Sequence, residues 1–567
     1  MCEWDSPYVS NYKCLLPAEA GSSLCILHQE APKDSARFKR KFYEQLDGTG
    51  APEIRNPRFD FTGYVFPEML ALEGSDRLIS REGSAVVIPQ IIDGDVVLDC
   101  AWFPFAVVVD GVSVTGDLRA LHLRCDRKTW FTRASFSGDV DMRWGSFGGD
   151  VRLHGVTFGR DGQNDATLEH CRFLKGVTFN QSRFLGMAVF NNSLFRGGAS
   201  FSRCVFEGPA RFGGAHFSKK ATFNFAIFKA EGAFFRTRFK DCANFHSAHF
   251  SDLALFQASK FGHQISFDHA SMGRANFNSA QFRGYASFTE LRVEKHVIFA
   301  QAIFAPHPLS GQGSRPANED GTVDFSNSVF SGPADFLNAR FKGDAHFVGT
   351  RFGRGLRLED ASFLGASNFE MAESSAIDIG SGRPRTYGFG LGARRCGFSV
   401  RDERTATSLW HLARWTFEKQ GKRSEADAAF YFERVWRWRD RLRQGGMRSV
   451  WAALLWPFDL SLRAITGYGT SLFRLLSTWI LTVVGFSAVY ALLPRSIIPL
   501  ESAVIGTTWV QRWLISLHFS VTTFTTLGLG DLMPGRMWAR ALVSLEAAIG
   551  AILMALTVLV IGRKFMR

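Results

Sequence analysis

Through the middle of the chain, large and small apolar residues recur at a spacing that fits neither a helix nor an ordinary strand. Phenylalanine stands at Phe179, Phe184, Phe190, Phe195, Phe201, Phe206 and Phe212 and continues to Phe267 in alternating steps of five and six, making eight repeats of 11 residues. Two residues ahead of nearly every one is a small side chain, as in Ala199, Cys204, Ala210, Ala215, Ala221, Ala226, Ala243, Ala248 and Ala254. A helix would repeat every 3.6 residues and a strand every 2. Steps of five predict a solenoid that turns a corner after each one, with large and small residues alternating inward. The register runs back through Phe131, Phe136, Met142, Phe147, Leu153 and Phe158, and forward through Phe325, Phe330, Phe336, Phe341, Phe347, Phe352, Leu358, Phe363 and Phe369. Insertions interrupt it around Gly159 to Asp165 and Pro306 to Gly321. Four sides make a coil of 22 residues, and the stack should be roughly 50 Å long.

Two later stretches have a different pattern. Leu475 to Leu493 holds 19 residues without a charge, and Ala541 to Ile561 is interrupted only by Glu546. At about 1.5 Å per residue each can span a bilayer core of roughly 30 Å, and Glu546 should then face protein or water. Between them, Trp509 to Thr523 is too short to cross, yet Leu514, Leu517 and Val521 keep helical spacing. It is read as a re-entrant helix that dips in and returns. Arg434, Arg437, Arg439, Arg441, Arg443 and Arg448 precede the first span and Arg563, Lys564 and Arg567 close the second. This density exceeds that of Arg495, Arg512, Arg536 and Arg540 between the spans, so both termini are expected on the cytoplasmic side of the cell membrane.

The patterns divide the chain into an N-terminal Cys/His module (1–50), a solenoid cap (51–94), the solenoid (95–375), a linker (376–402), a helical hairpin (403–446), a membrane-surface helix with a hinge (447–470) and a two-span region (471–567). Asp34 to Gln45 reads as a short charged helix and Phe59 to Phe66 as the start of the cap. A helix from Thr405 to Gln420 should stop at Gly421, and Ser424 with Asp427 should open the next in capping-box fashion. Trp451, Leu454, Leu455, Trp456, Phe458 and Leu462 suit a helix lying at the membrane surface. Thr466-Gly467-Tyr468-Gly469 then precedes the first span, which makes it a helix stop and hinge. The glycine run Tyr387 to Gly392 lacks the flanking strand and helix of a phosphate loop and reads as linker.

Composition adds two constraints. The excess of phenylalanine, 55 in the chain, is explained largely by the ladder, whose rings are core and no ligand site. The net charge of +13 could point to nucleic acid, but no recognition motif accompanies it, and a cytoplasmic face near anionic lipid explains it. The five-residue register resembles the pentapeptide-repeat family, which implies a right-handed quadrilateral β-helix. Some members of that family are acidic rods that imitate DNA. Residues 101 to 372 carry 31 basic and 24 acidic side chains, which excludes that role here.

The candidate chemistry lies after the short helix. Ser520-Val521-Thr522-Thr523-Phe524-Thr525-Thr526-Leu527-Gly528-Leu529-Gly530-Asp531 resembles the pore helix and filter signature of two-transmembrane potassium channels, a resemblance covering 471 to 567. Glycines let successive carbonyls point toward an axis and replace a cation's hydration shell. The family filter reads Thr-Val-Gly-Tyr-Gly-Asp, so Thr526, Gly528, Gly530 and Asp531 match while Leu527 and Leu529 depart from it. Leu529 loses the hydroxyl that a tyrosine can offer the pore helix, which leaves potassium against sodium open. The plain alternative is a turn between two helices, which explains neither the threonine pair nor the short helix. A carbonyl ring needs four chains, so the resemblance implies a homotetramer with K⁺ as the permeant ion. It also places a glycine near the depth of Gly550, as a gating hinge or as a close helix contact. Glu546 is a candidate brace behind the filter.

At the N-terminus, Cys2, Cys14, Cys25 and His28 form a Cys3His set suited to tetrahedral zinc, the alternative being free thiols in a loose tail. No signal peptide precedes them, so a reducing compartment is expected. The other six cysteines, Cys204 and Cys242 among them, read as structural small residues. No Gly-x-Ser-x-Gly, Walker or His-Glu-x-x-His motif is present, and His246 and His249 have no fixed acidic partner, so no enzyme is expected. The whole arrangement is similar to pentapeptide-repeat proteins that carry a C-terminal ion-channel domain. The expected function is a cation channel, potassium-conducting, whose cytoplasmic solenoid takes an unidentified ligand or partner. A non-conducting membrane-anchored scaffold is the other reading.

Overall fold

Five-residue steps become structure because each coil bonds to the coils above and below it. A computed structural model describes residues 14, 18–19, 22–29, 34–46, 59–72, 85–306, 321–379, 398–443, 445–493, 497–499, 508–528 and 532–565. One coil contributes four two-residue strands, for example Leu194–Phe195, Ala199–Ser200, Val205–Phe206 and Ala210–Arg211. Each pairs in parallel with its counterpart one coil on: Phe195 with Phe217, Ala199 with Ala221, Phe206 with Phe228 and Ala210 with Gly232. Two faces form ladders of 13 and 14 strands, and the other two join into a 23-stranded sheet. They join where His249–Leu255, Ser271–Asn276 and Arg292–Ile298 run round a corner unbroken. At the usual spacing the 13-strand ladder is about 58 Å long.

The phenylalanines fill the core as expected. Phe179, Phe201, Phe223 and Phe245 are fully buried and stack along the axis at 4.8, 4.9 and 4.7 Å. Rings on adjacent faces meet edge-on, as Phe195 meets Phe201 at 82°, so each ring has both favoured aromatic geometries. The small positions do more than make room. Several of those that are not alanine donate a hydroxyl or thiol to a backbone carbonyl of the preceding coil, as Thr237 does to Phe212 (2.7 Å) and Cys204 to Phe179 (2.9 Å). Burial pushes the Cys125 and Cys171 thiols up to about 12, so both are inert packing groups.

Corners fall every 11 residues on a left-handed backbone, at Arg203, Phe225, Arg236, Ser247, Ala258 and His269 among others. The Gly159 to Asp165 insertion is absorbed at one corner: Ser146 pairs with Arg172 and Val140 with Ala166, and the ladders then resume. The second insertion, residues 307–320, and the Tyr387 to Gly392 run lie outside the described residues. At the N-terminal end Asp60 and Val65 bridge to Val97 and Trp102. Helix α1 (Ser35–Leu46) lays Phe38 and Phe42 on Phe61, Tyr64 and Phe66, and Phe66 stacks on Phe103 at 4.2 Å. At the other end Phe398–Val400 pairs with Ala361–Phe363.

The C-terminal unit is helical: α2 (Glu403–Lys419), α3 (Arg423–Arg443), α4 (Gly446–Thr466), α5 (Leu472–Leu492), α6 (Trp509–Phe524) and α7 (Met537–Phe565). α2 and α3 form the expected hairpin, with Trp410 stacked on Phe432 at 4.8 Å. The Ser424–Asp427 capping box is not formed. Gly421 (φ 68) turns the chain so tightly that α3 starts at once, and Ala426 N–H bonds the Lys422 carbonyl (3.0 Å). Ser424 is left inside the first turn with its hydroxyl on Glu425. Helix α2 starts two residues before Thr405 because Asp402 accepts from the Thr405 N–H at 2.8 Å. The Gly467 stop is as expected: Gly467, Tyr468 and Gly469 are all left-handed, and Gly467 N–H caps the Arg463 carbonyl.

Candidate functional site

Two helices of the C-terminal unit, α5 and the Met537–Gly562 part of α7, are long and apolar enough to cross a membrane. Helix α6 begins on a reciprocal cap, the Thr508 hydroxyl accepting from Gln511 N–H and the Gln511 side chain from Thr508 N–H. In its last third Phe519 faces Tyr490 of α5 at 5.3 Å, and at its end Phe524 faces Trp479 at 5.3 Å. The last third of α6 therefore runs opposite in direction to α5 where the two pack. Ile497–Pro499, just after α5, pairs antiparallel with Leu532–Pro534, just before α7. The two ends of the intervening stretch are thus held together.

All three helices meet at one carboxylate. Glu546 of α7 is completely buried, as an acidic residue in an apolar span requires. Its Oε2 accepts from the Tyr490 hydroxyl of α5 (2.8 Å) and its Oε1 from the Ser520 hydroxyl of α6. Ser520 Oγ also lies 3.0 Å from the Val483 carbonyl. One turn further along α7 is Gly550. A Cβ added there would lie 2.3 Å from the Phe524 carbonyl oxygen, so the glycine is what lets α7 approach the end of α6. Leu475, Phe524, Leu553 and Val560 pack around this contact.

Beyond Phe524 the backbone changes character. Thr525 still bonds back to the Val521 carbonyl through both N–H (3.0 Å) and hydroxyl (2.7 Å). Thr526 and Gly528 are left-handed, with φ of 55° and 49°. Left-handed residues at alternate positions turn successive carbonyls toward one side, as cation coordination by backbone demands. Positive φ on a β-branched threonine is strained, and such strain collects at functional segments. Thr526, Leu527 and Gly528 are exposed on the single chain, Leu527 at 68%. A Cβ on Gly528 would meet nothing within 4 Å. Leu529, Gly530 and Asp531 lie outside the described residues.

At the N-terminal end the structure also brings together Cys14, Cys25 and His28, all buried, with their ligand atoms within 4.8 Å of one another. Cys2 lies outside the described residues. The Cys25 thiol is pulled down to about 4 by the hydrogen bond from Cys14 and by His28, against the burial that would raise it.

The sequence reading singled out Glu546, Gly550 and the filter residues, and Ser520 only as the start of the pore-helix resemblance, but not Tyr490, Trp479 or the Thr508–Gln511 cap. Polar residues inside apolar helices and a Thr-x-x-Gln before one were the available signals.

Comparison with known families agrees with both halves of the chain. Residues 163–205, 190–236 and 320–362 match the family of pentapeptide repeats, in 9 copies. Residues 469–567 match the ion channel family. The chain is a pentapeptide-repeat β-solenoid protein with a C-terminal ion-channel domain, and with its two membrane-length helices it is a membrane protein. No curated protein and no solved structure matches it.

Proposed function

We propose that four copies of this chain form a cation channel in the cell membrane that passes K⁺, with both termini and the solenoid on the cytoplasmic side. The observation that carries this reading is the Thr525–Gly528 segment. It leaves a short helix braced by two membrane-length helices, takes left-handed φ at alternate residues and exposes Thr526, Leu527 and Gly528 on one chain. Such a surface suits a ring of carbonyls completed by neighbouring copies. The pairing of Ile497–Pro499 with Leu532–Pro534 supports re-entry, because the stretch between them must leave and return at one level.

A regulatory role for the cytoplasmic part has a physical route within the C-terminal unit. Tyr431 of the hairpin accepts from Arg463 of α4 (3.0 Å) and lies under Arg474 of α5 at 5.2 Å. A shift of the hairpin would therefore pull on the first membrane helix.

Purified protein in liposomes under opposed potassium and sodium gradients provides the test. The expected result is a cation current with a reversal potential on the potassium side, lost in Gly528→Asp, from a species that crosslinks as a tetramer. No flux from a well-folded tetramer would favour the scaffold reading. Equal potassium and sodium permeability would leave the channel standing and remove potassium selectivity, consistent with Leu529.

A further inference from the structure

Cys14, Cys25 and His28 are distant in role from the pore, and the channel reading makes no use of them. Their arrangement has the features of a metal site. Zinc–sulfur bonds of about 2.3 Å at tetrahedral angles hold two sulfurs about 3.8 Å apart, and Cys14 Sγ and Cys25 Sγ are 3.7 Å apart. His28 Nδ1 is 3.1 Å from Cys25 Sγ, which needs to open by a few tenths of an ångström to the tetrahedral sulfur–nitrogen edge of about 3.5 Å. The other ring nitrogen, Nε2, lies 3.1 Å from the Thr62 carbonyl oxygen. A carbonyl can only accept, so Nε2 carries the proton and Nδ1 offers its lone pair toward the sulfurs. This is the outer hydrogen bond that zinc-bound histidines characteristically make.

The donor set also selects the ion. Two thiols and an imidazole are soft and borderline ligands, suited to zinc and unsuited to calcium or magnesium, which take oxygen. The surroundings explain what an ion would do. The loop carrying Cys25 and His28 is bonded to the cap by Val65 N–H to the Leu27 carbonyl (2.9 Å). The His28 ring meets Tyr64 edge-on at 5.6 Å, beside the Phe38 and Phe42 cluster. Cross-linking Cys14 to this loop would close the N-terminal end of the solenoid, where the first coil has no coil before it to cover its core.

We propose that Cys14, Cys25 and His28 hold one zinc ion that fastens the N-terminal loop over the solenoid cap. Full-length protein, purified in detergent under reducing conditions through a tag without histidines, should contain about one zinc per chain. Cys25→Ser and His28→Gln should each lose it, while Cys242→Ser, in the solenoid wall, should keep it. Cobalt substituted for zinc should give thiolate-to-cobalt charge-transfer absorption that is absent in Cys25→Ser. Should the variants fail to fold, titrating the unmodified protein with a chelator decides the matter, since zinc release should lower its melting temperature. The proposal is overturned by native protein without stoichiometric zinc, by zinc that survives in both ligand variants, by chelation without a change in melting temperature, or by a Cys14–Cys25 disulfide found by mass spectrometry. Metal content is independent of conduction, so the outcome is the same whether or not the pore passes ions.

Discussion

Gly550 and Phe524 touch backbone to backbone: a Cβ at 550 would stand 2.3 Å from the Phe524 oxygen, inside any real carbon–oxygen contact. The end of α6 therefore rests on α7 through this glycine. Gly550→Ala is expected to push the two helices apart, lowering the thermal stability of the protein and reducing any ion flux about tenfold or more, equivalent to ~1.4 kcal/mol. Gly485→Ala on α5 is the control, because a Cβ there meets nothing within 4 Å. Thermal unfolding separates this contact from a pure hinge role, since losing only a hinge would impair opening and leave the melting temperature unchanged.

The Tyr490–Glu546–Ser520 group predicts a coupled effect. Tyr490→Phe removes one donor to the carboxylate, and Glu546→Gln leaves a single acceptor oxygen for two hydroxyls. Each change is expected to cost about 1–2 kcal/mol, and the double variant should cost less than their sum. Thermal unfolding of the four proteins measures the coupling. The reversal potential tests whether the same group also steadies the proposed filter.

Within the solenoid, damage should stay local. Phe212 stacks between Phe190 and Phe234, 4.8 Å from each, and is fully buried. Phe212→Ala should cost about 3–5 kcal/mol. Because each coil contacts only its neighbours, hydrogen exchange should rise across the coils from Phe190 to Phe234 and remain unchanged near Phe341.

A fourth test concerns the hairpin. Glu433 is 1% exposed and pairs with His411 (3.3 Å), Arg414 (3.4 Å) and Arg437. Glu433→Ala should destabilise the hairpin by about 3 kcal/mol, at the low end for a broken buried pair because both guanidinium groups reach solvent. Tryptophan fluorescence, with Trp410 against Phe432 as reporter, follows the loss.

The elements with strict periodicity were legible in the sequence. Phe179 to Phe267 defined the coil, and the uncharged runs located α5 and α7 to within a few residues, except that α7 begins earlier, at Met537. Glu546 was legible as a residue that must face protein because an exposed carboxylate in lipid is too costly. Its partners Tyr490 and Ser520 were not, since hydroxyls in apolar helices can equally satisfy themselves on their own backbone, as Thr478 and Thr482 do. The Ser424 error has a similar cause. The pattern Ser-x-x-Asp favours a cap, but the left-handed turn at Gly421 fixed the start of α3 first.

The direction of the solenoid's hydrogen bonds has a mechanical consequence. Phe190 N–H to the Arg211 carbonyl, Leu194 N–H to Cys171 and Val205 N–H to Ser182 all run from coil to coil, parallel to the axis. Tension along that axis is shared by the bonds of four ladders at once, whereas force applied at a chain end peels one strand at a time. The solenoid is thus inextensible as a whole but unwinds from its end in increments of one coil, which makes the end coils, and whatever closes them, the limit on its endurance under load.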